Sequence, residues 1–262
     1  MKILVTGAAG QVGTKLYHDL AKDHELRLLD ANPIDFSQAE TMQGSVTDWP
    51  TVQRAVKGMD AVAHLAIHHP INVERQPYHQ YIQDDVDIGI KGTDMLLHAA
   101  KENGIRRFVY TSSINSHNKR LPDTGQMLHT EDEQLSNEHY GTVKWLAEEL
   151  CRHYALVVGL STVVVRFNSV TFPHQWHEML HTDYNSSDYP ASRVHVEDAV
   201  RAVRMALEKK DVQWARCIIS GANVSKSYDT ESAEKLIGFR ARYGFDTGKM
   251  FKDGKLIHDL SQ

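Results

Sequence analysis

The sequence predicts an α/β chain folded around a doubly wound parallel sheet. Three features predict it. The apolar run at 3–5 breaks into Gly7, Gly10 and Gly13, and a helical face with Val12, Leu16 and Leu20 follows. Further apolar runs at 26–29, 60–65, 106–110, 161–167 and 215–219 have the length of buried strands. Helical stretches at about 49–57, 78–103, 139–158 and 196–208 lie between them, and such alternation implies a parallel sheet covered on both faces.

The opening strand, turn and helix are shaped for a dinucleotide. Gly7 lets the chain reverse tightly, Gly10 lets backbone approach a pyrophosphate, and Gly13 lets helix pack close to strand. The pyrophosphate then meets the free N–H groups of the first helical residues, Gln11 and Val12, at the positive end of the helix dipole. A Gly-rich turn alone also suits any α/β protein. The second strand, however, ends in Asp30, seventeen residues after Gly13, near the separation expected for the carboxylate that takes the adenosine ribose hydroxyls. No cation follows in 31–34, which favours NAD over NADP.

At 262 residues with a formal charge of −5, the chain can bury a full core, and its interspersed charges exclude a nucleic-acid footprint or a basic membrane face. The first strand starts beside Met1 and no apolar stretch approaches the length of a membrane span. A cytoplasmic protein with no leader and no membrane partner is therefore expected. Cys151 and Cys217 sit inside helical and strand-like segments and read as reduced packing residues. Two stretches, 112–138 and 168–193, break the alternation directly after strands, so both should lie over the ligand end of the sheet. The expected division is a nucleotide domain of 1–167 and 194–220, with a small cap of 168–193 and 221–262.

Tyr140 and Lys144 are one helical turn apart on one face. A nearby ammonium favours phenolate, so the Tyr140 pKa is expected to fall toward working pH, where the phenol can take a hydroxyl proton. At the end of the run at 106–110, Thr111, Ser112 and Ser113 offer hydroxyls to the same substrate oxygen. Either feature alone also fits a solvated helix or an ordinary strand end.

Together, TGAAGQVG at 6–13, DAVAHLA at 60–66, FVYTSS at 108–113, YGTVK at 140–144 and VHVEDAV at 194–200 resemble, in order and spacing, the extended short-chain dehydrogenase/reductase family, also described as NAD-dependent epimerases/dehydratases. The resemblance implies a Rossmann-type fold, NAD(P) as cofactor, Tyr140 as acid/base, Lys144 as its partner and nicotinamide-ribose contact, and Ser113 as the catalytic hydroxyl. It also implies that Leu65 and Ala66 line the cofactor and that long helices at 78–103 and 139–158 form homo-oligomer faces, in a dimer or tetramer. The chain departs from the pattern in two places. Ser45 and Val46 stand where many members place an Asp against the adenine amine, with Asp48 three later. Gly89 stands where the Asn that holds a proton-relay water is usual, and Asp87 is the nearby substitute.

Within that family, 166–185 and 218–239 resemble the substrate loop and closing segment of short uronate dehydrogenases. The short cap argues for a small sugar without a nucleotide handle. Asn115, Ser169, His177 and Glu178 are the candidate substrate contacts, beside Ser113 and Tyr140. Glu178 falls where the subgroup carries an Arg for the sugar carboxylate, and a Glu there repels a uronate. The Asn-His pair that follows the catalytic Ser in the subgroup falls on Ile114 and Asn115. Histidines 68, 69, 117, 174, 177 and 181, with Arg75, Lys119 and Arg120, crowd the expected mouth without metal-ligand spacing, so no metal is expected, and a phosphorylated sugar is an alternative substrate. The expected reaction is oxidation of an anomeric hydroxyl to a lactone with release of NADH. The alternatives are a sugar epimerase/dehydratase, a carbonyl reductase, or a non-catalytic nucleotide sensor, the last opposed by Tyr140, Lys144 and Ser113 all being present.

Overall fold

The computed structural model describes residues 1–68, 74–117, 127–132, 136–176, 193–222, 228–246 and 249–259. Strands β1 (Lys2–Thr6), β2 (Glu25–Asp30), β3 (Glu40–Gln43), β4 (Ala61–His64), β5 (Arg107–Ser113), β6 (Thr162–Phe167) and β9 (Trp214–Ile219) form one parallel sheet in the order β3-β2-β1-β4-β5-β6-β9. Strand order reverses between β1 and β4, so the crevice at their carboxyl ends is where such a sheet takes its ligand.

Helices cover both faces. Helix α1 (Gln11–Leu20) and α6 (Val196–Glu208) bury Leu16, Leu20, Val203 and Leu207 on one face. Helices α2 (Trp49–Val56), α4 (Thr93–Glu102) and α5 (His139–His153) bury Val52, Leu96, Leu97 and Ala147 on the other. Fully buried strands such as β4 and β6 read as continuous apolar runs because they meet helices on both sides. Strand β3 escapes the sequence reading because ETMQ carries no buried residue, and only its place at the sheet edge makes it a strand. The expected helix at 78–103 is α3 (Tyr78–Val86) running through a wide turn at 87–92 into α4.

Beyond this sheet, β7 (Val170–Thr171) pairs with β8 (Val194–His195), and α7 (Glu231–Ile237) precedes an antiparallel sheet of β10 (Tyr243–Asp246), β11 (Lys249–Lys252) and β12 (Lys255–Asp259). Cys151 and Cys217 are buried and unpaired, as packing residues should be.

A buried ion pair joins α5 to the sheet. Arg166 on β6 and Glu148 on α5 have no exposed side-chain surface and meet in two parallel bonds, Nε to Oε1 at 2.9 Å and Nη2 to Oε2 at 2.5 Å. Ser112 donates to Glu148 Oε1 at 2.5 Å, and Arg166 Nη1 donates to the Thr130 carbonyl at 2.7 Å. His117, expected at the mouth, is instead buried against this pair, its Nε2 at 3.2 Å from Arg166 Nη1. Burial, then the charges of Arg166 and Arg216, push its imidazole down to about 3, so it stands neutral and accepts from the guanidinium. Removing one partner strands the other charge. Glu148→Ala is expected to cost about 3–5 kcal/mol in chemical denaturation; a loss below about 1 kcal/mol would place the pair among weak surface bridges.

Candidate active site

The glycine turn is built against the loop that follows β4. Gly7 adopts φ +72°, and a Cβ on it would lie 2.6 Å from the Ala66 nitrogen and 2.7 Å from the Leu65 carbonyl carbon. The Leu65 N–H donates to the Thr6 carbonyl at 3.0 Å, so Leu65 and Ala66 pass directly over the turn. Gly10 caps α1 without a side-chain bond, so the first N–H groups of that helix have no side-chain cap. Asp30, at the end of β2, accepts the Ala9 N–H at 2.9 Å and the Asn32 N–H at 2.8 Å. It therefore holds the glycine turn in place.

Ser45 and Val46 follow β3, and Gly44 beside them donates its N–H to the Asp30 carbonyl at 2.8 Å. Ser45 Oγ is bonded to Thr47 Oγ1 at 2.8 Å, and Val46 is buried. Asp48 is spent elsewhere: it caps α2 by accepting the Thr51 N–H at 3.1 Å. Val46 packs in the core beside Gly92 and Ser45 Oγ is held by Thr47, so neither residue supplies the carboxylate that the family pattern places here.

The candidate catalytic side chains sit at the carboxyl end of β5. Ser113 Oγ accepts the Asn115 N–H at 3.2 Å, which leaves its hydrogen for the Tyr140 phenol. Asn115 itself reaches toward Glu138, Nδ2 to Oε2 at 3.5 Å. Lys144, one turn after Tyr140, donates to the Thr111 carbonyl at 2.9 Å and stands 5.9 Å from the Tyr140 ring and 4.7 Å from the Tyr110 ring. Spacing pairs Tyr140 with Lys144, and the family resemblance adds Ser113; the fold brings all three to this strand end.

Their electrostatics differ from the expectation. The Tyr140 pKa is raised, not lowered: burial comes first, followed by the negative charge of Asp85, and the Ser113 hydrogen bond only partly opposes them. Lys144 bears the complementary change. Burial pushes its ammonium down to about 8, against the supporting charges of Asp85 and Glu148.

Ser169 is exposed just past β6, at the same edge. His177 and Glu178 lie outside the described residues, as do His69, His181, Lys119 and Arg120. His68 is buried and packs on Tyr81 rather than facing the mouth. Asp87 is half-exposed and pairs with Lys91 at 3.9 Å, so it is no relay substitute. Sequence reasoning missed three polar residues here. His64 is buried between Thr6 and Thr93, at 2.7 and 3.0 Å, and burial holds it neutral with a pKa of about 3. Asn168, just after β6, keeps a buried amide nitrogen with no partner among the described residues. Asp85 is the third. A polar residue inside an apolar run was the only available signal, and it fits His64 alone.

A sequence profile of the NAD dependent epimerase/dehydratase family matches residues 3–185. The chain belongs to that family. Its cofactor is NAD, and the glycine cradle, uncapped helix end and Asp30 fit that dinucleotide. The chain is 33% identical over 154 residues to an N-acetyl-alpha-D-glucosaminyl-diphospho-ditrans,octacis-undecaprenol 4-epimerase of Escherichia coli O157:H7, covering 58% of this chain and 43% of that one. It therefore spans less than half the length of this curated relative. It is 34% identical over 191 residues to a uronate dehydrogenase of Agrobacterium fabrum, covering 72% and 68% of the two chains. The crystal structure of uronate dehydrogenase from Agrobacterium tumefaciens superposes with a TM-score of 0.74 at 25% identity, covering 92% of this chain and 84% of that one. Among the described residues, no helix is long and apolar enough to cross a membrane.

Two outcomes follow from this epimerase/dehydratase-family site. Asp30 beside a ribose 2′-phosphate pairs like charges, so kcat/KM is expected to favour NAD⁺ over NADP⁺ by about tenfold or more; equal use of NADP⁺ would remove Asp30 from the ribose. Turnover is expected to fall as pH rises past about 8, where Lys144 loses its charge. A rate that stays flat to pH 10 would show that the ammonium is not required.

Proposed function

We propose that the chain is an NAD-dependent oxidoreductase that oxidises the anomeric hydroxyl of a small sugar, free or phosphorylated, to the lactone and releases NADH. The observation that carries this reading is the convergence of Ser113, Tyr140 and Lys144 at the carboxyl end of β5, in the sheet whose switch-point crevice holds the glycine turn. NAD⁺ bound there supplies the hydride acceptor. Tyr140 takes the hydroxyl proton, Ser113 steadies the developing carbonyl oxygen with its hydrogen, and Lys144 supplies the positive charge that lets a buried phenol ionise. The Asn115 N–H keeps the Ser113 oxygen occupied, so Ser113 acts as a donor. The likeness to uronate dehydrogenase supports the sugar class.

The 4-epimerase likeness favours a second reading, in which the same three residues oxidise a sugar transiently and NADH is not released. Incubating the protein and NAD⁺ with a panel of aldoses, uronates and aldose 6-phosphates, followed by absorbance and proton NMR, separates the two. Loss of the anomeric proton with stoichiometric NADH is the expected result. Interconversion of two sugars without net NADH would establish the epimerase reading instead. Tyr140→Phe is expected to lower kcat by about 10²–10⁴ while NAD⁺ affinity survives. Retention of a third of the activity would mean that another base does the work.

A further inference from the structure

Helix α3 carries a buried carboxylate that the family pattern does not use. Asp85 is 2% exposed, and its Oδ2 has no hydrogen-bond partner among the described residues. A Cβ on Gly89, one turn later, would collide with Val143 of α5 and lie 3.9 Å from Asp85 Oδ1. No side chain can stand at position 89 with Val143 in place, and the Asp85 carboxylate borders that same spot. The titratable groups around it are Tyr81 on its own helix, with His68 packed on Tyr81, Tyr110 on β5, and His139, Tyr140 and Lys144 from the start of α5. Its chain neighbour Asp84 is bonded to Gln76 and Gln80.

Two of those groups connect Asp85 to the chemistry and to water. Lys144 and Asp85 act on each other: the ammonium lowers the carboxyl, and the carboxylate supports the ammonium ahead of Glu148. On its other side, Asp85 Oδ2 lies 3.5 Å from His139 Nε2, which likewise has no hydrogen-bond partner among the described residues. The His139 side chain is 23% exposed, whereas that of Asp85 is 3% exposed; burial lowers the pKa of the imidazole, and its hydrogen bond to the Ile82 backbone opposes that shift.

We propose that Asp85 and His139 form the proton exit behind Tyr140 and Lys144, taking the place of the relay that Gly89 cannot support. This rests on the oxidation proposed above. In that reaction the C–H electron pair leaves with the hydride to NAD⁺, and the O–H proton passes to Tyr140. To reset the phenolate, the proton moves by way of Lys144 and water to the Asp85 carboxylate, on to His139 and out to solvent. Nothing beyond NAD⁺ is consumed. Asp85 and His139 touch neither substrate nor nicotinamide and act as positioning and relay residues.

Burial raises the Asp85 carboxyl to about 6, so its ionisation costs the fold stability as pH rises through that value.

The test uses the full chain loaded with NAD⁺. NMR titration of the His139 ring, which needs no turnover, is expected to show its midpoint falling by about one unit in Asp85→Asn, because a negative neighbour is lost. An unmoved midpoint overturns the pair. With the sugar that gives most NADH in the panel, Asp85→Asn is expected to lower kcat about tenfold or more, leave the KM for NAD⁺ unchanged, and abolish the rise in rate through about pH 6. His139→Ala is expected to lower kcat similarly, with recovery on adding imidazole. Wild-type kcat and pH profile in Asp85→Asn, or no imidazole rescue of His139→Ala, overturns the relay. If no sugar gives NADH with the wild type, the oxidation reading fails, while the NMR result still decides the coupling.

Discussion

Tyr140, Lys144 and Glu148 are spaced four apart, so one face of α5 carries the candidate acid/base, its cationic partner and a carboxylate with no exposed surface. That carboxylate can only exist where Arg166 answers it, and Arg166 is itself enclosed by Glu148, Thr130 and His117. The requirement to satisfy both charges fixes the rotation of α5 against β6. Rotating the helix by part of a turn to move Tyr140 would leave a guanidinium unpaired in the core. Ser112, bonded to Glu148, brings the end of β5 into the same arrangement, and Ser113 follows it in the chain.

The same enclosure explains the electrostatics. Lys144 is held in a buried place by the Thr111 carbonyl, the Tyr110 ring, and the charges of Asp85 and Glu148. Its ammonium is therefore costly, and burial raises the pKa of the phenol beside it above its usual value. A lysine four residues away was expected to lower the phenol. Desolvation and the nearby Asp85 charge outweigh that attraction here, because both act at full strength where water is excluded.

Three glycines, a strand-end Asp and alternating apolar runs were enough to place the tight glycine turn, the end of β2 and the parallel sheet, because their constraints are local. A positive φ at Gly7 and continuous apolar strands leave their mark at fixed spacings. Tyr140 and Lys144 were legible as one helical turn and the hydroxyls at 111–113 as one strand end, with Ser113 singled out among them only by the family resemblance. What only the tertiary structure decided are contacts between segments distant in sequence. His117 looked like a mouth residue until β6 brought Arg166 against it. Asp87 looked like the relay substitute, yet helical phase turns Asp87 toward Lys91 and Asp85 inward toward His139. Strand β3 has no apolar signal of its own and exists because β2 offers an unpaired edge. In each case burial and charge pairing depend on which surfaces meet, and no spacing along one segment records that.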